Sequence, residues 1–232
     1  MRVLGFDTAT LTAGVAVVDD DRVLADARHD GSGRNADLLV TIDDVCKRAG
    51  IAPTELDAIA VGAGPGSFTG LRIGMATAKG IAFAARRPLW AVSSLAALAW
   101  DAEQAAPGDV VVAVLDARRA EVFAGCYAGF TALADERVLA PAELAAWVQT
   151  IVGDRPTRFA GDALAVYRDI LAPLAESWVA VSTPSGIAVA TLALAGPRVD
   201  ITTTGAPTYI RPSEAEVMYP DGVPGALRRH EP

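Results

Sequence analysis

Histidine, cysteine and long apolar runs are all scarce in this 232-residue chain, and each scarcity removes a class of function. Only His29 and His230 occur, without H-x-x-x-H or H-E-x-x-H spacing, so a histidine-based metal centre is not expected. A serine hydrolase would need Ser67 or Ser93 served by one of those histidines, and no G-x-S-x-G elbow exists, which makes a peptidase the least favoured reading. The two cysteines, Cys46 and Cys126, cannot make a disulfide framework and read as small buried apolar residues in a reducing compartment. The apolar stretch from Gly186 to Ala195 falls short of the roughly 20 residues that span a bilayer. Asp7 interrupts the run from Met1 to Phe6 before it could act as a signal. The expectation is a cytoplasmic protein with no membrane contact.

A basic excess is missing too. Lys and Arg number 20 against 28 Asp and Glu, a formal net charge of −8. Residues 1–100 hold 10 basic and 11 acidic groups, and residues 101–232 hold 10 and 17. Neither half is equipped to neutralise phosphate backbones unaided, so a nucleic acid would have to be held by a partner. What is present is core material: 52% of residues are apolar and 21% charged, which excludes general disorder.

The apolar pattern repeats. Strands are expected at Val3 to Phe6, Gly14 to Val18 and Arg22 to Ala27. A helix is predicted over Asn35 to Ala49, where Leu38, Leu39, Ile42, Val45 and Cys46 are read as one face and Gly50 stops it. A strand at Ala58 to Val61, a helix from Thr69 to Arg86, a strand at Leu89 to Val92 and a helix from Ser94 follow. After the polar stretch Asp101 to Asp109 the plan restarts: strands at Val110 to Leu115 and Glu121 to Tyr127, then a helix from Pro141 to Ile151. A strand at Thr157 to Gly161, a helix from Ala163 to Leu174, a strand at Trp178 to Ser182 and a helix from Gly186 to Ala195 complete it. The fold class is therefore α/β in two similar subdomains, residues 1–101 and 102–211, each a mixed sheet with flanking helices. A proline-rich tail, residues 212–232, either packs back on the surface or is disordered.

Chemistry centres on Gly62 to Gly74, a glycine-rich turn that leaves a strand and opens a helix. Successive N–H groups there, with Gly64, Gly66 and Ser67 at the helix start, can hold an anion. The competing reading is a tight turn in which Gly64 and Gly66 supply positive φ while Gly70 and Gly74 admit close packing. It is neither a P-loop nor G-x-G-x-x-G. Asp7 and Thr8 could orient a metal-bound water and a phosphate, or simply cap a hairpin turn. Their counterpart, Asp116-Ala117-Arg118-Arg119, has arginines where a backbone phosphate cradle needs glycines.

Phe6-Asp7-Thr8-Ala9-Thr10, the block Gly62 to Gly74, Ala76-Thr77-Ala78-Lys79-Gly80, Val92-Ser93-Ser94-Leu95, Gly161-Asp162 and Tyr209-Ile210-Arg211-Pro212 occur in this order. In that set the chain resembles the TsaB (YeaZ) family, accessory subunits in forming N6-threonylcarbamoyladenosine at position 37 of tRNA. The resemblance implies the actin/Hsp70-like ATPase (ASKHA) fold and a non-catalytic role beside a TsaD-type threonylcarbamoyltransferase. It further implies a TsaE-type ATPase in the complex, tRNA reached only through that complex, and a homodimer through similar surfaces. No cofactor is required by this chain. A nucleotide where it meets its partners stays open, with Asp7, Thr8, Gly64, Gly66 and Ser67 as a vestigial anion site. The partner-contact residues carried over are Leu38, Leu39, Ile42 and Val45 on the first helix and Gly74, Ala78 and Phe83 on the second. Arg34-Asn35-Ala36-Asp37 and Val40-Thr41 depart from the family's usual residues there. The rival reading is an ASKHA-type ATPase or kinase using Asp7, Thr8 and the glycine-rich turn.

Overall fold

The computed structural model describes residues 1–30, 37–108, 110–211 and 218. The expected tail, residues 212–232, apart from Met218, and the start of the first helix at Arg34 to Ala36 lie outside them.

Strands β1 (Arg2–Asp7), β2 (Thr12–Asp19) and β3 (Arg22–Asp30) form an antiparallel meander, followed by helix α1 (Asp37–Ala49). Strand β4 (Ala58–Gly62), helix α2 (Phe68–Ala85), strand β5 (Leu89–Val92) and helix α3 (Ser94–Ala105) come next. Strands β4 and β5 join the meander in parallel, giving the order β3-β2-β1-β4-β5. Both faces of this sheet are covered, which is why β1 and β4 are apolar almost throughout rather than alternating. Leu4, Phe6, Ile59 and Val61 point to the α1–α2 side, while Val3, Ala58 and Ala60 point to the other.

The second half repeats the scheme. Strands β6 (Val110–Arg118) and β7 (Glu121–Ala128) form a hairpin, flanked by the short β8 (Thr131–Ala132) and β9 (Arg137–Leu139). Helix α4 (Leu144–Val152), strand β10 (Thr157–Ala160) parallel to β6, and helices α5 (Ala163–Val166), α6 (Arg168–Leu171) and α7 (Gly186–Ala195) complete it. A hairpin with a parallel strand beside its first member thus occurs twice, which is the duplication the apolar pattern predicts. Beyond the expected elements, β8 and β9 are too short to have left a period-2 signal.

Two expectations need correction. Trp178 to Ser182 is not a strand: it makes one parallel bridge, Phe159 to Trp178, because the Val181 N–H turns back to the Val179 carbonyl at 2.8 Å. The helix expected from Ala163 to Leu174 breaks at Tyr167, whose φ of −114° and ψ of 38° are not helical. The Tyr167 hydroxyl donates to Asp116 Oδ1 at 2.8 Å and so ties this break to the β6–β7 hairpin.

Helix α3 packs between the two sheets. Leu95 and Leu98 of α3 pack with Val111, Ala113 and Leu115 of the second sheet, and Ala97 packs with the first. Helix α7, although late in the chain, lies on the first sheet against β1 and β2. That approach is so close that a Cβ on Gly186 would stand 2.3 Å from the Ala16 nitrogen. Ser185 caps α7, and Asp101 of α3 accepts from both the Ser185 N–H and hydroxyl at 2.6 Å. Among the described residues no helix is long and apolar enough to cross a membrane.

Candidate functional site

The glycine-rich turn is shaped by its contact with the β1–β2 turn. Gly64 has a φ of +107°, whereas Gly66 does not have positive φ, contrary to expectation. Gly66 is needed for space instead: a Cβ there would meet Ala9 Cβ at 2.5 Å and its carbonyl oxygen at 2.6 Å. Gly70 and Gly74 do admit close packing, since added Cβ atoms would lie 2.1 Å from the Thr8 oxygen and 2.2 Å from Thr8 Oγ1. The Ser67 N–H donates to the Ala9 carbonyl at 2.7 Å, and the Ser67 hydroxyl caps α2 by accepting from the Gly70 N–H at 3.3 Å.

Asp7 is completely buried in this contact. Its Oδ1 accepts from the Ala9 N–H at 2.7 Å and its Oδ2 from the Ser94 hydroxyl at 2.5 Å, while Ser94 Oγ accepts from the Gly64 N–H at 3.1 Å. Desolvation outweighs those bonds and pushes the Asp7 carboxyl up to about 6. The Thr8 hydroxyl donates to the Gly70 carbonyl at 2.8 Å. Asp7, Thr8 and Gly64 therefore face inward, and their polar groups serve the joint between β1, β4 and α3. The bond from the Ala9 N–H to Asp7 is the turn cap expected as one of the two readings.

Gly66 and Ser67 reach a cleft of about 600 Å³ between the two halves. Its far wall is the β6–β7 turn, with Asp116, Arg118 and Arg119, and its near wall is the start of α2 with Phe68 and Arg72. Tyr209 and Arg211 close one side. Asp162, at the floor, accepts from the Asp116 N–H at 2.8 Å and is pushed up to about 6, chiefly by desolvation. Arg118 and Arg119, read from the sequence as obstacles to a backbone cradle, line this cleft together with Arg72 and Arg211. No group of three or more His, Cys, Asp or Glu able to hold a metal is found among the described residues.

The helical contact residues divide by face. Leu38, Ile42 and Val45 of α1 and Gly74 and Ala78 of α2 are buried in the chain's own core, because their spacing is that of the sheet-facing stripe. Leu39 is 55% exposed and Phe83 81% exposed. Between α1 and α2 runs an apolar groove of about 330 Å³, walled by Leu39, Ile42, Cys46, Ile81 and Ala85. Val40, also exposed, and the groove wall of α2 were missed by sequence reasoning. The signal was there: Leu38, Leu39 and Val40 are consecutive, and successive helical residues are about 100° apart, so one stripe cannot hold all three. Asp43 in the groove's lining pairs with Lys47 at 2.5 Å, giving the apolar surface a charged edge, and Asp44 pairs with Arg48 at 3.3 Å.

The family model described as "TsaD: tRNA N6-adenosine threonylcarbamoyltransferase" matches residues 34–222. The tRNA threonylcarbamoyladenosine biosynthesis protein TsaB of Escherichia coli strain K12 is 37% identical over 123 residues, 53% of this chain and 53% of that protein. The chain thus matches about half the length of that relative. The protein of the same name from Bacillus subtilis strain 168 is 27% identical over 228 residues, covering 94% of this chain and 98% of its own. The solved structure of YeaZ from Pseudomonas aeruginosa superposes with a TM-score of 0.77 at 30% identity, over 90% of this chain and 99% of that one.

Proposed function

The chain belongs to the TsaB (YeaZ) family, and on that premise we propose that it is the accessory subunit that binds and activates a TsaD-type threonylcarbamoyltransferase during tRNA threonylcarbamoyladenosine formation. The observation that carries this reading is the α1–α2 groove. It is apolar, the Lys47–Asp43 ion pair edges it, and Leu39 in its lining is more than half exposed; Phe83 on α2, outside that lining, leaves a second large apolar side chain in solvent. An apolar centre with a polar rim is the anatomy of a protein interface. Exposed rings such as Phe83 are the kind of side chain that dominates binding energy once a partner covers them.

The same surface offers a second copy of the chain a place to pair when the catalytic subunit is absent. A TsaE-type ATPase and tRNA then join through the complex. The chain's net charge of −8 is compatible with tRNA held mainly by partners. Burial of the Asp7 carboxylate, with both oxygens taken by Ala9 and Ser94, speaks against the ATPase or kinase reading, which needs that group at a metal or phosphate.

Co-purification tests the proposal. Tagged full-length chain is expected to retain the TsaD-type subunit, and Leu39→Glu with Phe83→Glu to release it, since charges would be buried without partners. Equal recovery with the wild-type and doubly substituted chains would rule out this face.

A further inference from the structure

The docking reading leaves the late motif Tyr209-Ile210-Arg211 without a task. In the fold it ends a stretch, residues 199–211, that contains no helix or strand and runs along the cleft between the halves. The first anchors of this strap lie on the first half. The Ile201 N–H donates to the Leu89 carbonyl at 2.8 Å, Asp200 Oδ1 accepts from the Leu89 N–H at 3.1 Å, and the Thr208 N–H donates to the Ala63 carbonyl at 2.7 Å. Gly64 leaves room for it, since a Cβ there would stand 2.9 Å from the Thr208 carbonyl oxygen.

The next three residues divide between the halves. Tyr209 stays with the first: its ring centroid is 5.1 Å from that of Phe68, and its hydroxyl accepts from Arg72 Nε at 3.1 Å. The Arg72 guanidinium lies 3.8 Å over the Phe68 ring, so the three side chains pack as one group. Ile210 packs against the apolar cluster between α3 and the second sheet. Arg211 reaches the second half, where its Nη1 donates to Glu121 Oε2 at 2.8 Å and its guanidinium lies 5.8 Å from the centroid of the Phe123 ring. Three residues span at most about 10 Å, so any opening of the cleft has to break the contacts at one end.

The rest of the joint is suited to tilting. Helix α3 packs with both sheets through Leu95, Ala97 and Leu98, and such apolar contacts resist separation without preferring a direction. The Ser93 hydroxyl donates to Glu136 of the second half, but at the very start of α3, on the pivot itself. We infer that Tyr209, Ile210 and Arg211 form a clasp that holds the two halves at one angle, with the Arg211–Glu121 pair as its latch. The latch is charge-assisted and therefore directional, yet its side chains are 26% and 37% exposed, so it is the end that releases first. Phe68 and Arg72 open the helix whose last turn carries Phe83, so the clasp also sets how the exposed face of α2 stands relative to the second half.

Pulsed electron paramagnetic resonance on the full chain is the test, with spin labels on Arg22→Cys, on the edge strand β3, and Ala146→Cys, on the exposed side of α4. Cys46 and Cys126 are buried, so the labels go to the introduced thiols. A single narrow distance is expected for the labelled chain. Arg211→Glu sets two carboxylates against each other and is expected to lengthen and broaden that distance, and Glu121→Arg added to it is expected to restore the narrow distribution. Hydrogen exchange gives a second reading if charge reversal unfolds the chain: in the milder Arg211→Gln the Thr208 amide should exchange about tenfold faster, while the Ile201 amide, nearer the start of the strap, keeps its rate. A distribution for Arg211→Glu that superimposes on the wild-type one, a broadening that the charge swap leaves in place, or equal Thr208 exchange with and without Arg211→Gln would overturn the inference.

Discussion

Leu38 and Leu39 are neighbours in sequence and opposites in placement, at 4% and 55% exposure, and that contrast yields the sharpest prediction about the docking face. Leu38 packs into the core formed by α1, α2 and the first sheet. Truncating it to alanine removes apolar contacts and leaves a cavity, which costs about 2–5 kcal/mol of folding stability. Leu39→Ala removes surface that the isolated chain leaves largely in water, so its stability should change by less than about 0.5 kcal/mol. The cost of Leu39→Ala appears on binding instead. Covering its exposed part is worth about 1 kcal/mol, and covering Phe83, 81% exposed, about 2 kcal/mol. Together these amount to about 3 kcal/mol, or about two decades in dissociation constant for the Leu39→Ala/Phe83→Ala chain. Urea unfolding reads the first quantity, and calorimetry with the TsaD-type subunit reads the second. The reasoning is refuted if the double variant binds within about threefold of wild type, a difference of less than about 0.7 kcal/mol. It is equally refuted if Leu38→Ala and Leu39→Ala prove equally stable.

Three further outcomes follow from the joint and the core. Asp7 has its carboxyl raised from 3.8 to about 6, so between those values the unfolded chain has lost a proton that the folded chain retains, and stability falls as pH rises through this window. Asp7→Asn should therefore gain stability relative to wild type, by about 3 kcal/mol between about pH 4 and pH 7, and a flat difference in denaturant unfolding would contradict the burial argument. Gly70→Ala would place a Cβ 2.1 Å from the Thr8 carbonyl oxygen, backbone against backbone, and should lower the melting temperature sharply; an unchanged melting curve would disprove the close packing of α2 on the β1–β2 turn. Cys126 is buried and its thiol is pushed up to about 12, and Cys46 is also raised, so thiol reagents near pH 8 should label neither until urea is added, whereas rapid native labelling would contradict both placements.

Much of the fold was legible because both halves write their strands as apolar runs and their helices as stripes. Leu89–Val92 and Gly186–Ala195 match the expected spans residue for residue. What escaped was decided by contacts distant in sequence. Tyr167 breaks a helix because its hydroxyl is claimed by Asp116, and no local pattern announces a bond between residues 51 positions apart. The position of α7 on the first sheet depends on Gly5, Gly14 and Gly186 meeting across nearly the whole chain.

The glycine-rich turn was legible as a special segment, but its use was not. The same glycines serve a phosphate cradle or a tight packing joint, and only the partners of Asp7 and Thr8 distinguish the two. On α1, periodicity found the buried residues Leu38, Ile42, Val45 and Cys46 but placed the exposed Leu39 on the same face. The apolar residues left on the surface, Leu39 and Val40, are the ones that break the period.

Reconstitution bears most directly on the accessory-subunit reading. With a TsaD-type subunit, a TsaE-type ATPase, threonylcarbamoyl donor and unmodified tRNA, the rate of N6-threonylcarbamoyladenosine formation is measured with and without this chain. The account predicts that modification depends on the wild-type chain and is largely lost with the Leu39→Glu/Phe83→Glu chain. Equal rates with and without it would contradict the account.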